Sequence, residues 1–569
     1  MKLPGVTYSD GIVKGQQTRF NGLNHTLGAG DGELWDMENL TGDYFPLLAS
    51  RRPRRLYRTL ESPGGLFSWD GLAWVDGTGF FYQGERKGTV TAGRKTFAAL
   101  GAYIVIFPDK AYYNTADGTF GQLEAEWAGS SLTFTNGTLY GEAAEANTVQ
   151  AAGVNWADYF QAGDAVTISG CTKHEANNKT PVIREIDGDK LYFYEYVFDL
   201  DGDDGDAPYT EQGSLSIKRT VPDMDFLCEN ENRLWGCDKN TIYASKLGDI
   251  FNWNVYDGLS TDSYAVDTGS AGRFTGCISF LGYPVFFKED HIYKVYGSIP
   301  SNFEVMGSAT LGVAEGSGDS LAIAGETLFY LSRAGIMAYS GGIPQPIGGA
   351  FGLERHRDAA AGSDGLKYYV SMSGEDGEHR LYVYDTQRRL WHTEDHTQAT
   401  HFARWGGNLY FLNDKGEIWW ENPPLGSPPE PSASGSGGER TSSAMSELSP
   451  EGGSEGYGAY EDDVPWWVEF GDFTENDPNK KGVSKIQIRL ELDQGAEVRV
   501  LIQFDTDGEW RKVNGALGEG VKRSYYLPII PHRGDHYRLR LEGVGGCRVY
   551  SLAREYYSGS ELKSKPGRQ

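Results

Sequence analysis

Three stretches of the chain gather side chains that could do chemistry. "HTEDHTQATH" carries His392, His396 and His401, the residue type that ligates zinc and moves protons near neutral pH. HExxH is absent. In extended backbone, positions i and i+4 share a face only along an unbroken strand, so the three rings are not expected to converge on a metal. "DLDGDDGD", residues 199–206, repeats carboxylates as a calcium loop does. The sixth position, which needs glycine, is Asp204, and the twelfth, which needs a bidentate acid, is Thr210, so the pattern fails and a solvated acidic loop is expected. "FDTDGEW", residues 504–510, offers Asp505, Asp507 and Glu509 for two-carboxylate glycoside hydrolysis. They fall between the strand-like runs "VRVLIQ" and "WRKV", where a hairpin turn needs acids for its own backbone. No GxSxG, Walker A or GxGxxG motif stands between a strand and a helix. No catalytic, metal or cofactor site is therefore selected, and an enzyme is not expected.

The five cysteines, Cys171, Cys228, Cys237, Cys277 and Cys547, are odd in number and scattered, which points to buried reduced thiols. Cys228 and Cys237 flank "ENENRLWG" and could face each other across a hairpin; no second pair at zinc spacing accompanies them.

The elements that would position such residues are short strands. One unit recurs: a strand, a tight polar turn and a second strand rich in aromatics. It is seen in "GLAWVDGTGFFYQG", "AYIVIFPDKAYYNT", "NRLWGCDKNTIYAS", "YPVFFKEDHIYKVYG", "ETLFYLSRAGIMAYSG", "KYYVSMSGEDGEHRLYVYD" and "NLYFLNDKGEIWWEN". Each turn carries Gly, Asp, Asn or Pro where the chain reverses. From the third unit onward the hairpins start about 40 to 50 residues apart, the period of a four-stranded propeller blade. A blade cannot bury both its faces alone, so neighbours must supply the core. The expected fold is all-β: a propeller of six or seven blades over residues 56–123 and 221–424. Two stacked β-sandwiches are the competing arrangement.

Two segments break the period. Residues 124–220 alternate apolar and polar around "NNK" and "DGD" turns and read as an inserted small β-domain. Residues 425–464 have almost no apolar content and read as a flexible linker or loop. Beyond them, residues 465–558 alternate cleanly and predict a C-terminal β-sandwich, followed by a tail at 559–569; residues 1–55 read as an N-terminal arm.

Of the 569 residues, 76 are glycine and 34 tyrosine, a turn-rich and aromatic-rich composition that suits this reading. The longest apolar runs, such as "YIVIF", are far too short to span a bilayer as a helix, and "MKLPGVTYSDG" has no signal-peptide core, so no membrane span and no export signal are expected. The net charge of −27 repels phosphate backbones, which argues against adhesive DNA binding and suits a channel that passes DNA without holding it; from charge alone, plain solubility is the favoured reading.

"DGELWDMENLTGDYFPLLASRRPRR", "NRLWGCDKNTIYASKLGDIFNWN", "GYPVFFKEDHIYKVYGSIPSNFEVMGSATLGVAEGSGDSLAIAGETLFYLSRAGIMAYSGG" and "LIQFDTDGEWRKV" with "HYRLRLEG" together resemble a bacteriophage virion family. The chain is similar to the packaged-DNA stabilisation proteins, also called tail hub or nozzle proteins, of short-tailed phages. The likeness covers most of residues 31–120 and 225–557 and lies in strand and turn patterns. The inserted segment and the linker depart from the simplest members. The resemblance implies a homo-oligomeric ring, a hexamer, in the virion tail. Such a ring is assembled in the host bacterial cytoplasm, adjoins portal or adaptor proteins, needs no cofactor, and lets genomic DNA pass without sequence-specific binding. A receptor- or glycan-binding tail-tip propeller is the alternative, with "WW" at Trp419–Trp420 and Trp466–Trp467 as candidate stacking residues or plain core; a propeller hydrolase is a third. Arg51, Arg52, Arg54 and Arg55 form the candidate docking strip toward an acidic neighbouring subunit or ring, with "YFPLL" as an apolar strand beside it. An exposed basic turn serving solubility is the other reading of the same residues.

Overall fold

Every one of the seven aromatic hairpins forms the middle of a four-stranded antiparallel sheet in the computed structural model, which describes residues 12–26, 30–31, 33–136, 147–194, 198–202, 207–423, 460–462, 464–477, 479–514, 517–518, 522–530 and 532–558. The linker expected at 425–464 falls almost wholly outside the described residues, as does the tail at 559–569. The fold is an all-β propeller. Its seven blades among the described residues span 63–89, 96–122, 226–267, 276–309, 322–346, 357–393 and 399–420, the last taking its fourth strand from Arg55–Thr59. The chain divides into two units, one of residues 61–318 and one of residues 1–60 with 319–569.

Residues 61–318 hold the first four blades. Their second strands are apolar on both faces: Tyr103–Phe107 buries four of its five residues, and Tyr283–Phe287 does the same. A sheet flanked by neighbours on both sides needs this pattern, whereas outer strands such as Glu304–Ala309 are almost fully exposed. The first strands of successive blades lie against one another, Thr96–Leu100 beside Phe226–Asn230 and Phe226–Asn230 beside Gly276–Phe280. The second and third blades are thus neighbours although residues 124–220 separate them in sequence. Those residues form their own six-stranded antiparallel sheet, whose spatial order is Thr167–Ser169, Tyr209–Arg219, Ala125–Thr135, Thr148–Gln150, Lys190–Phe193 and Ile183–Asp187. Trp127, Trp156, Phe134 and Ile217 fill its core.

The other unit holds the last three blades and a β-sandwich. One sheet of the sandwich is built on Lys481–Leu492 and Cys547–Ser558, the other on Glu497–Phe504 and Tyr537–Val544. The N-terminal arm expected over residues 1–55 carries strands of its own. Val13–Gln17 and Leu48–Ser50 pair with Cys547–Ser558, and Leu34–Glu38 pairs with Pro465–Phe470, so the segment supplies strands to both sheets. "YFPLL" is not a strand: Tyr44 to Leu47 make a turn before Leu48–Ser50. Local reading could not find these pairings, because each partner lies more than four hundred residues away. One apolar cluster runs from Val468, Ile488, Val500 and Leu541 of the sandwich to Phe329, Tyr368 and Trp391 of the fifth and sixth blades. Gly22 sits where the N-terminal segment crosses the sixth blade: its φ is +78°, and an added Cβ would meet the Trp391 carbonyl at 2.6 Å.

Candidate functional site

The arginine strip divides in two. Arg51 and Arg54 are 6 % and 2 % exposed, whereas Arg52 is exposed and Arg55 half-buried. A docking strip needs outward guanidinium groups, so Arg51 and Arg54 are withdrawn from that role, and the reason is electrostatic. Four carboxylates from distant parts of the same unit converge on them.

The elements explain the convergence. Leu48–Ser50 lies in one sandwich sheet and Arg55–Thr59 is the fourth strand of the seventh blade, so the intervening residues must cross between the two bodies. Glu394 and Asp395 follow the last strand of the sixth blade, Leu390–Thr393, and Glu421 follows Glu417–Trp420 of the seventh. Glu461 enters beside Tyr460, which bridges Arg55. Arg51 grips Glu461 with both terminal nitrogens, at 2.6 and 3.1 Å, and donates through Nε to Asn39 Oδ1 at 2.6 Å. Arg54 donates to Glu421 at 2.7 Å through Nε, to Asp395 at 2.6 Å through Nη1 and to Glu394 through Nη2, while its amide donates to Glu461 at 2.8 Å. Its guanidinium also lies 5.1 Å over the Phe411 ring. Each nitrogen of the rigid fork thereby has a fixed acceptor, the geometry that makes Arg rather than Lys suitable for a buried pair.

Two positive charges face four acids, and burial decides how the excess is managed. Glu421 is 2 % exposed. Loss of hydration, reinforced by the charges of Glu394 and Glu461 and opposed by Arg54 and Arg51, lifts its carboxyl to about 8. Asp395 goes the other way: burial opposes its charge, but Arg54 and Arg51 outweigh it and hold the group far below the usual carboxylate range. Glu461 is lowered as well, against burial, by Arg51 and Arg54. Because the folded pKa of Glu421 lies above its unfolded value of 4.5, its contribution favours the fold in acid and is lost as pH rises toward about 8. Asp395 and Glu461 contribute above their unfolded values and lose that contribution as pH falls. Glu421→Gln is therefore expected to gain stability relative to the natural chain between pH 5.5 and pH 9, read as the difference in urea midpoint. Parallel pH profiles for the two proteins would contradict this protonation.

The outward half of the strip lines two clefts. Arg52, with Asp43, Tyr44, Lys367, Arg388 and Asn422, borders one of about 500 Å³; Arg52 and Tyr44 also border a second of about 320 Å³ with Arg548. A hydrogen bond from Arg52, together with the charge of Arg548, lowers the Tyr44 phenol. Lys367 is held by Asp43 at 2.5 Å and Arg388 by Asp385 at 2.6 Å, so the wall of the first cleft is largely charge-compensated. The Arg55 guanidinium lies 5.2 Å over the Tyr460 ring.

The remaining chemical candidates lie apart from this network or serve the fold. His392 is 5 % exposed, and burial lowers its imidazole to about 4; His396 is exposed, and His401 sits in the strand Ala399–Trp405. Trp420 and Trp466 are buried core residues, while Trp467 donates to Glu38 and lies under Arg540. Of the acidic run 199–206, residues 203–206 lie outside the described residues. Asp507 and Glu509 both pair with Arg511 in their turn. Among the described residues, one group of potential ligands is close enough to share a cation: Asp505, Asp535 and His536, with atoms within 4.8 Å of one another. The turn already employs them. Asp505 accepts the Asp535 amide at 2.7 Å, and the His536 ring contacts Asp535 and Thr506, each at 2.6 Å.

No family model and no curated protein matches the chain. Solved structures to which it is similar include BamB from Moraxella catarrhalis, at 11 % identity and a TM-score of 0.32, covering 64 % of this chain and 95 % of that one. Another is U3-55K, at 8 % identity and a TM-score of 0.30, covering 65 % and 98 %. A third is an exo-beta-1,3-galactanase from Phanerochaete chrysosporium, at 11 % and 0.21, covering 58 % and 94 %. Likenesses this slight carry nothing about function.

Proposed function

We propose that this chain is a structural virion protein: a ring-forming tail hub or nozzle subunit of a short-tailed bacteriophage that closes the portal–tail channel and conducts genomic DNA during ejection. The observation that supports it most is the buried ionic brace. Arg51 and Arg54 tie the N-terminal segment, the sixth and seventh blades and the entry to the sandwich through Glu461 into one unit, an investment in stiffness rather than in a reaction centre. The net charge of −27 supports the DNA side of the reading, since phosphates slide past a surface that repels them. The ring is a homo-hexamer docked to portal or adaptor proteins, without a cofactor and without a catalytic step. Arg52, exposed at the mouth of two clefts, is the strip residue left to meet an acidic neighbour.

Negative-stain electron microscopy of the purified chain at physiological salt tests this. Closed rings are expected, and Arg52→Ser is expected to reduce the ring fraction while changing urea stability by less than about 0.5 kcal/mol. A chain that stays monomeric at micromolar concentration and binds a glycan array would overturn the reading in favour of a receptor-binding propeller.

A further inference from the structure

Three of the five cysteines meet at one junction between blades. The third blade pairs Phe226 with Cys237 and Cys228 with Trp235, so Cys228 and Cys237 do not oppose each other across their hairpin, as the sequence allowed. They are diagonal neighbours on one face of the sheet, each opposite an aromatic ring. That face packs against the fourth blade, and Cys277, on its first strand Gly276–Phe280, enters the same apolar cluster with Trp235, Phe274 and Phe286. There the Cys277 thiol is in hydrogen-bonding contact with both Cys228 and Cys237. Phe226–Asn230 and Gly276–Phe280 are the adjoining first strands of their blades, so this contact crosses from one blade to the next rather than running within a sheet. Cys228 and Cys277 are partly exposed, while Cys237 is fully enclosed.

We infer that Cys228 and Cys277 are an oxidative latch: a thiol pair that closes, in the presence of peroxide, into a disulfide joining the third and fourth blades. One thiolate attacks the peroxide, breaking its O–O bond to give a sulfenic acid and releasing hydroxide, which takes up a proton as water. The second thiol then attacks the sulfenic sulfur, forms the S–S bond and displaces the hydroxyl as a second water. Overall two thiols and one peroxide give one disulfide and two waters. Position selects the pair: Cys228 and Cys277 stand on the two adjoining first strands, whereas Cys237 stands on the second strand of its blade, Arg233–Asp238, and is fully buried. The contact with Cys277, together with burial, raises the Cys228 thiol, and burial raises that of Cys277, which keeps both groups slow to react in a reducing compartment. The latch would set only after prolonged exposure to an oxidising one. Disulfide formation between blades adds a covalent tie where packing alone holds the two first strands together.

The test treats the full chain with hydrogen peroxide, blocks remaining thiols with a maleimide in denaturant and maps peptides without reduction. Loss of two of the five thiols, a peptide linking Cys228 to Cys277 and a reductant-reversible rise in the urea midpoint are expected. Cys277→Ser should abolish the link, and Cys547→Ser, at a buried thiol of the other unit, should leave it unchanged. Five maleimide-reactive thiols after treatment, irreversible oxidation of Cys277 to the sulfinic acid, or a disulfide that survives Cys277→Ser would each overturn the latch.

Discussion

Replacing Arg54 with alanine is expected to cost the unit of residues 1–60 and 319–569 about 3–5 kcal/mol, far more than Arg52→Ala, which should stay within about 0.5 kcal/mol. The asymmetry follows from what is left behind. Arg54 is the shared partner of Glu394, Asp395 and Glu421, and its removal strands these carboxylates where water reaches them poorly. Glu421 already keeps its proton up to about pH 8, whereas Asp395, ionised beside Arg54 and Arg51 against the pull of burial, loses one of the two charges that hold it so. The loss should therefore grow with pH, and urea unfolding at pH 6 and pH 8.5 measures it. A double change, Arg54→Met with Asp395→Asn, removes one charge of each sign and should recover part of the loss, because deleting a buried pair together is cheaper than breaking it. Equal midpoints for Arg54→Ala and Arg52→Ala would mean that the network contributes nothing beyond an exposed pair.

The second large effect lies in the other unit. Arg219→Ala is expected to cost about 3–5 kcal/mol in the local stability that holds the inserted sheet to the third blade. Asp164 is fully buried and paired with Arg219; it also accepts from the Gln161 amide at 3.0 Å and from Asn252 Nδ2 at 3.1 Å. Arg219 in turn donates to the Leu123 carbonyl at 3.0 Å and lies 4.8 Å over Phe251. Asn252 and Phe251 belong to the third blade, so this ion pair, both of whose members lie in the insertion, ties it to the propeller alongside the Ala165 amide, which donates to Asn252 Oδ1 at 2.9 Å. Hydrogen exchange should show faster exchange at Ala165 and along Tyr209–Arg219, with the first blade unaffected; uniform protection across the unit would sink the idea.

The contrast between what local sequence reveals and what it hides is physical. The seven hairpins were legible because each carries its own evidence: Gly77, at φ +57°, turns the first, and the runs around it are apolar on both faces, as a sheet enclosed by neighbours requires. The sandwich core was legible from alternation such as Val498, Val500 and Ile502. The strand Arg55–Thr59 was not, because it is half-buried along most of its length and shows no alternation; only its partner Glu417–Trp420 gives it a place. The brace failed for the same reason. "RRPRR" looks alike whether its guanidinium groups face solvent or carboxylates, and Glu394, Asp395, Glu421 and Glu461 carry no local mark. The one hint was an acid directly after the apolar "IWW" of the seventh blade, a position where an unpaired carboxylate is costly.

The fourth strand of the seventh blade comes from the start of the chain, and this governs the order in which the protein can form during synthesis. Among the described residues, every sheet of 61–318 finds all its partners within that segment, so it can fold as it leaves the ribosome. Residues 13–59 emerge earlier still, yet their distant partners, Glu417–Trp420, Pro465–Phe470 and Cys547–Ser558, are made only after that segment, and until then Arg51 and Arg54 wait in solvent. A chain that stops short of Tyr537–Val544 and Cys547–Ser558 therefore leaves its beginning stranded as well as its end unfinished.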